Sequence, residues 1–302
     1  SLISKLNFIM KNLIIDFLNF LPLKKRFSFS SRNISVVEKK YDKIAGTYLK
    51  NYMNNDNQKY IAKLDSDQVV EILASYKDYI AETVANTYVE TNSDSILEVG
   101  AGELTLLVEV LKRIREKNKQ INQVAALDIS LNRLLVGKKL IDDSKVKIDY
   151  LAKANAEKIP YKSNSFDFVF TSHCIEQVPH LFKNILDELM RVTKKYVVLV
   201  EPSYESGTDE NKNYILSKGY IRFSDRLLKN TGHNLIFRKG FPVQKYINGS
   251  EIIIFKKITE MKNEPSFCVP GTDIELKIKD DYLISNDTNY KFEIKSGVGV
   301  FY

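Results

Sequence analysis

Cysteine is scarce in this 302-residue chain, which has only Cys174 and Cys268, far apart in sequence. That scarcity excludes a disulfide framework and fits a reducing compartment, so a cytoplasmic location is expected. Uninterrupted apolar runs of the ~18–20 residues that a membrane-spanning helix requires are missing, as are internal repeats and low-complexity stretches. Three histidines leave few side chains to act as a base near neutral pH. A one-signed charge is missing from most of the chain. The net +7 arises in residues 1–40, with eight bases and two acids, whereas the other 262 residues carry 37 bases and 36 acids. A neutral body argues against a nucleic-acid partner.

What is present suits a globular protein: 44% hydrophobic and 27% charged residues, and a length for one large α/β domain or an ordinary domain with appendages. From Val37 to Val89 the pattern reads as helical, with Tyr41–Ala45 opening one element and Val69–Tyr79 inside another. After Asn92-Ser-Asp94, β-rich runs alternate with helical ones. Strands are expected at Ser95–Val99, Val124–Asp128, Val146–Leu151, Phe166–Ser172 and Tyr196–Glu201, with helices at Leu104–Lys117, Leu131–Ile141 and Ile175–Val192. A helix around Tyr214–Asn230 and strands around Asn234–Phe237 and Ser250–Phe255 follow. This alternation predicts a doubly wound α/β fold with a parallel, seven-stranded sheet.

The first strand ends Ile96-Leu-Glu-Val-Gly-Ala-Gly-Glu-Leu-Thr105 and runs into a helix. Glycines at such a turn let the backbone approach a ligand, and the helix supplies free N–H groups. A dinucleotide-binding turn would need a third glycine at Thr105, and it rarely carries an acid at the position of Glu98. A carboxylate there suits a cationic amino group, which a pyrophosphate lacks. Asp128 ends the next strand, where an acid can accept hydrogen bonds from both hydroxyls of a ribose. Taken singly, the Gly-x-Gly is a tight turn and Asp128 a helix cap; together on one sheet edge they read as a ligand site.

Residues from about Tyr41 to Pro202 resemble class I S-adenosylmethionine-dependent methyltransferases of the group that acts on small molecules. Glu98, Gly100 and Gly102 match the first motif and Asp128 the second. Asn155-Ala156-Glu157 is similar to the segment that touches adenine, and Tyr41–Tyr48 to the one that lays a tyrosine over the cofactor. The resemblance implies a Rossmann-like sheet with N-terminal helices and S-adenosylmethionine as cofactor. It implies a cofactor site made of Tyr41, Tyr48, Glu98, Gly100, Ala101, Gly102, Asp128, Ile129, Asn155, Ala156 and Ser172. The acceptor it implies is a small molecule or a glycan-type group. His173 is the leading candidate for a base, ahead of His180, Tyr41 and Glu176; Cys174 reads as a packed side chain. The sequence departs from the pattern at Leu104, where a third glycine is common, at Asn155, a frequent Asp, and at Gln177, a frequent His.

Two competing readings are an RNA-modifying enzyme and a non-catalytic partner that kept the fold. No Asn/Asp-Pro-Pro-Tyr-type tetrapeptide follows the fourth strand, against the first, and Glu98 and Asp128 are both present, against the second. The C-terminal stretch resembles a zinc ribbon whose ligand positions would be Cys268, Gly271, Ser285 and Thr288. Three of those are not ligands, so no metal is expected. The chain thus divides into an amphipathic basic arm (1–33), a methyltransferase-type domain (34–260; helical cap 37–90, sheet core 94–256) and a degenerate ribbon-like β appendage (261–302).

In Ser1–Leu21, Lys5, Asn12, Asp16 and Asn19 form a narrow polar stripe on an otherwise largely apolar helix, followed by Pro22 and Lys24-Lys25-Arg26. A secretion signal is a poor reading, since Lys11, Asn12 and Asp16 interrupt the apolar region. An interfacial helix beside bases gains from acyl burial and anionic head groups, so peripheral membrane contact through residues 1–26 is one expectation. A lid over the acceptor site or a homodimer contact is the other. Sedimentation with anionic vesicles separates them: membrane contact requires salt-sensitive binding by the full chain and none by a chain starting at Asn33. Equal behaviour of both chains would leave the arm as a lid or dimer element.

Overall fold

Every residue of Ser95-Ile-Leu-Glu-Val99 is buried, as expected of a parallel strand covered on both faces. A computed structural model describes residues 33–302 apart from 54–59, 64–68, 73–75, 145 and 246–248, so the arm ahead of Asn33 lies outside the described residues. Helices α1 (Ile34–Lys43) and α2 (Thr47–Met53) come first. Strands β1 (Tyr60–Lys63) and β2 (Val69–Ile72) and helix α3 (Tyr76–Glu90) follow. Then come β3 (Ser95–Val99), α4 (Thr105–Glu116), β4 (Gln123–Asp128), α5 (Leu131–Ser144), β5 (Tyr150–Lys153) and β6 (Phe166–Ser172). After two 3-10 turns the chain continues through α6 (Phe182–Val192), β7 (Thr193–Pro202), α7 (Asp209–Lys218), α8 (Asp225–Lys229), β8 (Leu235–Gly240), β9 (Val243–Lys245) and β10 (Ser250–Lys256). The tail adds β11 (Lys277–Lys279), β12 (Tyr282–Ile284), β13 (Lys291–Lys295) and β14 (Val298–Val300).

The main sheet has eleven strands in the order β11-β12-β13-β14-β5-β4-β3-β6-β7-β10-β8. The parallel block β5-β4-β3-β6-β7 is Rossmann-like, with β10 antiparallel to β7 and β8 antiparallel to β10. Side chains alternate between two cores. Ile96, Ala126, Phe168 and Val198 join the layer under α3, α4 and α5, while Leu97, Leu127, Val169 and Val197 join the layer under α6 and the tail. The connections reverse direction at β3: α4 and β4 lie to one side and β6 to the other. That switch point puts a crevice outside the strands' carboxyl ends.

The sheet holds more than the expected seven strands because the tail joins it instead of standing apart. β14 pairs parallel with β5 (Gly299 with Ala152, Val300 with Lys153), and Phe267 stacks on Tyr161 at 5.6 Å. Among the described residues no cluster of three His, Cys, Asp or Glu side chains could hold a metal. No described helix is long and apolar enough to cross a membrane.

The stretch expected to be helical up to Val89 instead contains the β1–β2 hairpin, extended by β9. Short apolar runs such as Val69-Val-Glu-Ile72 suit a buried helix and a strand equally well, and their pairing partners decide. β5 starts later than expected: the Asp149 N–H already donates to the Val124 carbonyl (2.8 Å), but the Asp149 carboxylate takes the Val124 N–H (2.9 Å), and the regular ladder follows from Tyr150. The helix expected from Ile175 begins only at Phe182, since Pro179 lacks an N–H and 3-10 turns occupy Ile175–Gln177 and Pro179–Leu181. The Tyr214–Asn230 helix is two: Gly219 ends α7 at φ +61°, and the Ser224 hydroxyl caps α8 by accepting from the Leu227 N–H.

Helix α5 approaches the β3–α4 turn so closely that a Cβ on Gly137 would lie 2.5 Å from the Glu103 carbonyl oxygen. Backbone cannot give way there, so Gly137→Ala is expected to lower stability by about 1–3 kcal/mol in urea unfolding. An unchanged midpoint would contradict this packing.

Candidate cofactor site

The turn after β3 is built on left-handed backbone: φ is +81° at Gly100, +54° at Gly102 and +59° at Leu104. A Cβ at Gly100 would sit 2.4 Å from Cys174 Sγ, and one at Gly102 2.3 Å from Arg133 Nη2. Leu104 shows how a residue other than glycine fills the third position. Left-handed backbone costs roughly 1–3 kcal/mol. Its side chain is 0% exposed, and burying a leucine returns about 1.5–3 kcal/mol. The Gly100 and Ala101 N–H groups donate to the Leu127 carbonyl (2.9 and 3.0 Å), which fastens the turn to the end of β4.

Asp128 is buried at that end. Its Oδ2 accepts from the Gly102 N–H and its Oδ1 from the Ser130 N–H, each at 2.8 Å. Burial raises its pKa, opposed by the Arg133 charge and those two N–H groups. A carboxylate has about four acceptor positions, so two remain for a ligand. Glu98 lies behind the turn, with one buried carboxylate oxygen lacking a hydrogen-bond partner. Burial, then the Asp128 charge, pushes its pKa well up.

One cleft of about 840 Å³, open to solvent, is lined by Tyr41, Tyr48, Gly100, Asp128, Ile129, Asn155, Ala156, Ser172 and His173 among the residues expected from sequence. Glu98, Ala101 and Gly102 do not line it; they shape the turn from behind. The Asn155 side-chain carbonyl accepts from the Glu157 N–H (3.0 Å), leaving one lone pair for a ligand amino group. The lining also includes Arg133, Val37 and Ile185, which the motif reading passed over, and Gln177, noted only as standing where a His is frequent. Arg133 had a faint signal, as a base in the first turns of the helix after Asp128; Val37 and Ile185 had none beyond apolar periodicity.

Helices α1 and α2 cover this cleft through polar contacts. Ser130 Oγ donates to Asp42 (2.5 Å), Lys153 pairs with Glu38 (2.8 Å), and the Gln177 amide donates to the Tyr41 hydroxyl. Buried Glu103, one residue past Gly102, accepts the Gly46 N–H at 3.0 Å and the Leu49 N–H. The Arg133 guanidinium sits over the rings of Tyr41 and Tyr48, 4.9 and 4.6 Å from their centroids.

On the opposite side, His173 has left-handed backbone (φ +50°) and both ring nitrogens occupied. Nδ1 lies 3.0 Å from Glu176, and Nε2 lies 2.8 Å from Ser250 Oγ and 3.3 Å from the Tyr76 hydroxyl. The Ser250 and Tyr76 hydroxyls can each donate to Nε2 or accept from it, so the ring sits inside a hydrogen-bond chain. His180 is exposed on a 3-10 turn and does not line the cleft. Burial pushes the Cys174 thiol well up, which suits a packed side chain.

Residues 97–200 match the family model described as a methyltransferase domain. Demethylmenaquinone methyltransferase of Bacillus cereus is 28% identical over 166 residues, covering 54% of this chain and 68% of its own. Two solved structures share the fold. The [4+2]-cyclase SpnF has TM-score 0.55 and 16% identity, covering 74% of this chain and 96% of its own. Magnesium protoporphyrin IX methyltransferase from Synechocystis, with bound SAH, has TM-score 0.51 and 9% identity, covering 74% and 99%. The chain is an S-adenosylmethionine-dependent methyltransferase with a Rossmann-like fold.

The residues present fit this cofactor: in the cleft wall Asp128 keeps two acceptor positions and Asn155 one, and Glu98 close by keeps a buried oxygen unpartnered. Asp128 would hold the ribose and Asn155 with Ile129 the adenine. When bound, the cofactor supplies an electrophilic methyl group, so the protein's work is positioning and exclusion of water.

Glu201, at the end of β7, supports the His173 loop. Its Oε1 accepts from Thr171 Oγ1 (3.0 Å) and from the N–H groups of Cys174 (3.1 Å) and Ile175 (3.2 Å). Burial, then the Glu176 charge, raises its pKa from 4.5 to about 7. The folded protein therefore binds the extra proton, and the stability this group contributes falls as pH rises from 4.5 to about 7. Glu201→Gln, which imitates the protonated acid, is expected to lose less stability than the wild type between pH 5 and 8 in urea unfolding. Parallel profiles would contradict this assignment.

Proposed function

We propose that the chain transfers the methyl group of S-adenosylmethionine to a small-molecule or glycan-type acceptor that enters on the His173–Gln177 side of the cleft. The observation that carries the reading is the meeting of a ribose-type acceptor (Asp128), an adenine-type wall (Ile129, Asn155, Ala156) and an open polar rim (Tyr41, His173, Gln177) in one cleft. The Bacillus relatives, named for a small-molecule acceptor, support it. The near-neutral charge outside residues 1–40 favours such an acceptor over a nucleic acid. Cysteine usage favours the cytoplasm. Tyr41 closes the acceptor side, held by Gln177 and desolvated enough that its hydroxyl stays protonated. The Tyr76–Ser250–His173–Glu176 chain supplies the nearest route for a proton released by the acceptor.

Calorimetry is expected to give a dissociation constant of ~1–100 μM for S-adenosylmethionine or its demethylated product. Asp128→Ala, which strips the ribose of its acceptor, is expected to weaken binding about tenfold or more. No heat and no thermal shift at millimolar cofactor would overturn the reading, and unchanged binding by the variant would overturn the placement of the ribose.

A further inference from the structure

Arg133 is the one lysine or arginine among the described residues that line the cleft. Its side chain is 11% exposed, and its Nε is buried without a hydrogen-bond partner. The nearest carboxylate, Glu103, stands 3.7 Å from Nε and already accepts two backbone N–H groups from the covering helices. A guanidinium so far removed from water normally finds a partner carboxylate with matched hydrogen bonds, because leaving its donors unused is costly. Here the rings of Tyr41 and Tyr48 hold its position, but an aromatic face accepts no conventional hydrogen bond. The cation lies directly over the glycine turn, since a Cβ at Gly102 would fall 2.3 Å from its Nη2.

We propose that Arg133 binds the carboxylate at the amino-acid end of the cofactor. The inference rests on the cofactor reading given above and adds to it a residue and a specificity. With Asp128 taking the ribose and Asn155 the adenine, the remaining end of the ligand runs over the turn where Arg133 waits. That end carries an ammonium and a carboxylate. The ammonium suits Asp128, the acid that lines the cleft, and that same acid repels the carboxylate unless a fixed cation intervenes. A planar guanidinium matches a carboxylate with paired N–H donors, so Arg133 would select ligands that keep the complete amino-acid end over nucleoside thioethers that lack it.

The test is calorimetry on the full chain and its R133Q and R133K variants, with S-adenosylhomocysteine and with 5′-deoxy-5′-methylthioadenosine, which lacks the amino-acid end. The expected result is about a tenfold or greater loss of S-adenosylhomocysteine binding in R133Q, partial recovery in R133K, and methylthioadenosine binding within about twofold of wild type. Retained methylthioadenosine binding also shows that the variant is folded. An equal loss for both ligands would mean that Arg133 acts through the packing of Tyr41 and Tyr48, and would overturn the proposal. So would an unchanged affinity for S-adenosylhomocysteine. If the wild-type chain binds neither ligand, the cofactor reading itself fails, a result distinct from the other two.

Discussion

The two hydrogen bonds that Asp128 accepts, from Gly102 on one side and Ser130 on the other, hold the site in register. They join the turn after β3 to the first turn of α5 through one buried carboxylate. Without them the turn would be tied to the end of β4 by its links to the Leu127 carbonyl, and to α5 by the packing of Gly137 on Glu103 and the Arg133–Glu103 ion pair. Hydrogen bonds to an ionised group are stronger than neutral ones, so burying this acid also stiffens its surroundings.

Around that link sits a concentration of acid. Glu98, Glu103 and Asp128 are each at most 4% exposed, and Arg133 is the cation among them. Such a group is expensive to assemble, and the chain offsets the cost differently at each member. Asp128 is satisfied by backbone N–H groups of its own layer and Glu103 by backbone from the covering segment, whereas at Glu98 the cost shows as a pKa pushed well up by burial and then by the Asp128 charge. Glu103 thereby makes the cover part of the turn: α2 cannot withdraw without leaving a buried carboxylate bare.

Much of this was legible in the sequence where local pattern and burial agree. β3 and β6 fall where expected, because every residue of β3 and all but the last of β6 are buried, so that burial marks the limits of each. Gly100, Asp128 and Asn155 share the cleft because strand ends in this topology converge by construction. Less legible were elements fixed by distant partners. Tyr60–Lys63 and Val69–Ile72 form strands because Val243–Lys245, far along the chain, completes their sheet. Glu98 matched a motif, yet its place behind the turn depends on which face of β3 each residue takes. Arg133 matched nothing and Gln177 stood out only as a departure from the pattern; both take their place through contacts made across helices.

The pairing of β14 with β5 changes where the sheet ends. Left alone, β5 would present an unpaired row of N–H and C=O groups to solvent, beside the aromatic cluster of Tyr150, Tyr161 and Phe267. β14 fills that row, and the Phe301 N–H then donates to the carbonyl of Lys153, whose ammonium also reaches Glu38 of the cover. A ribosome-bound chain would carry this edge uncovered until Phe301 emerges. Nascent molecules are thus most open to pairing along β5 before residues 298–301 arrive; once β14 docks, the sheet's edge moves out to β11, a three-residue strand with an exposed lysine at each end, which pairs poorly with a second copy.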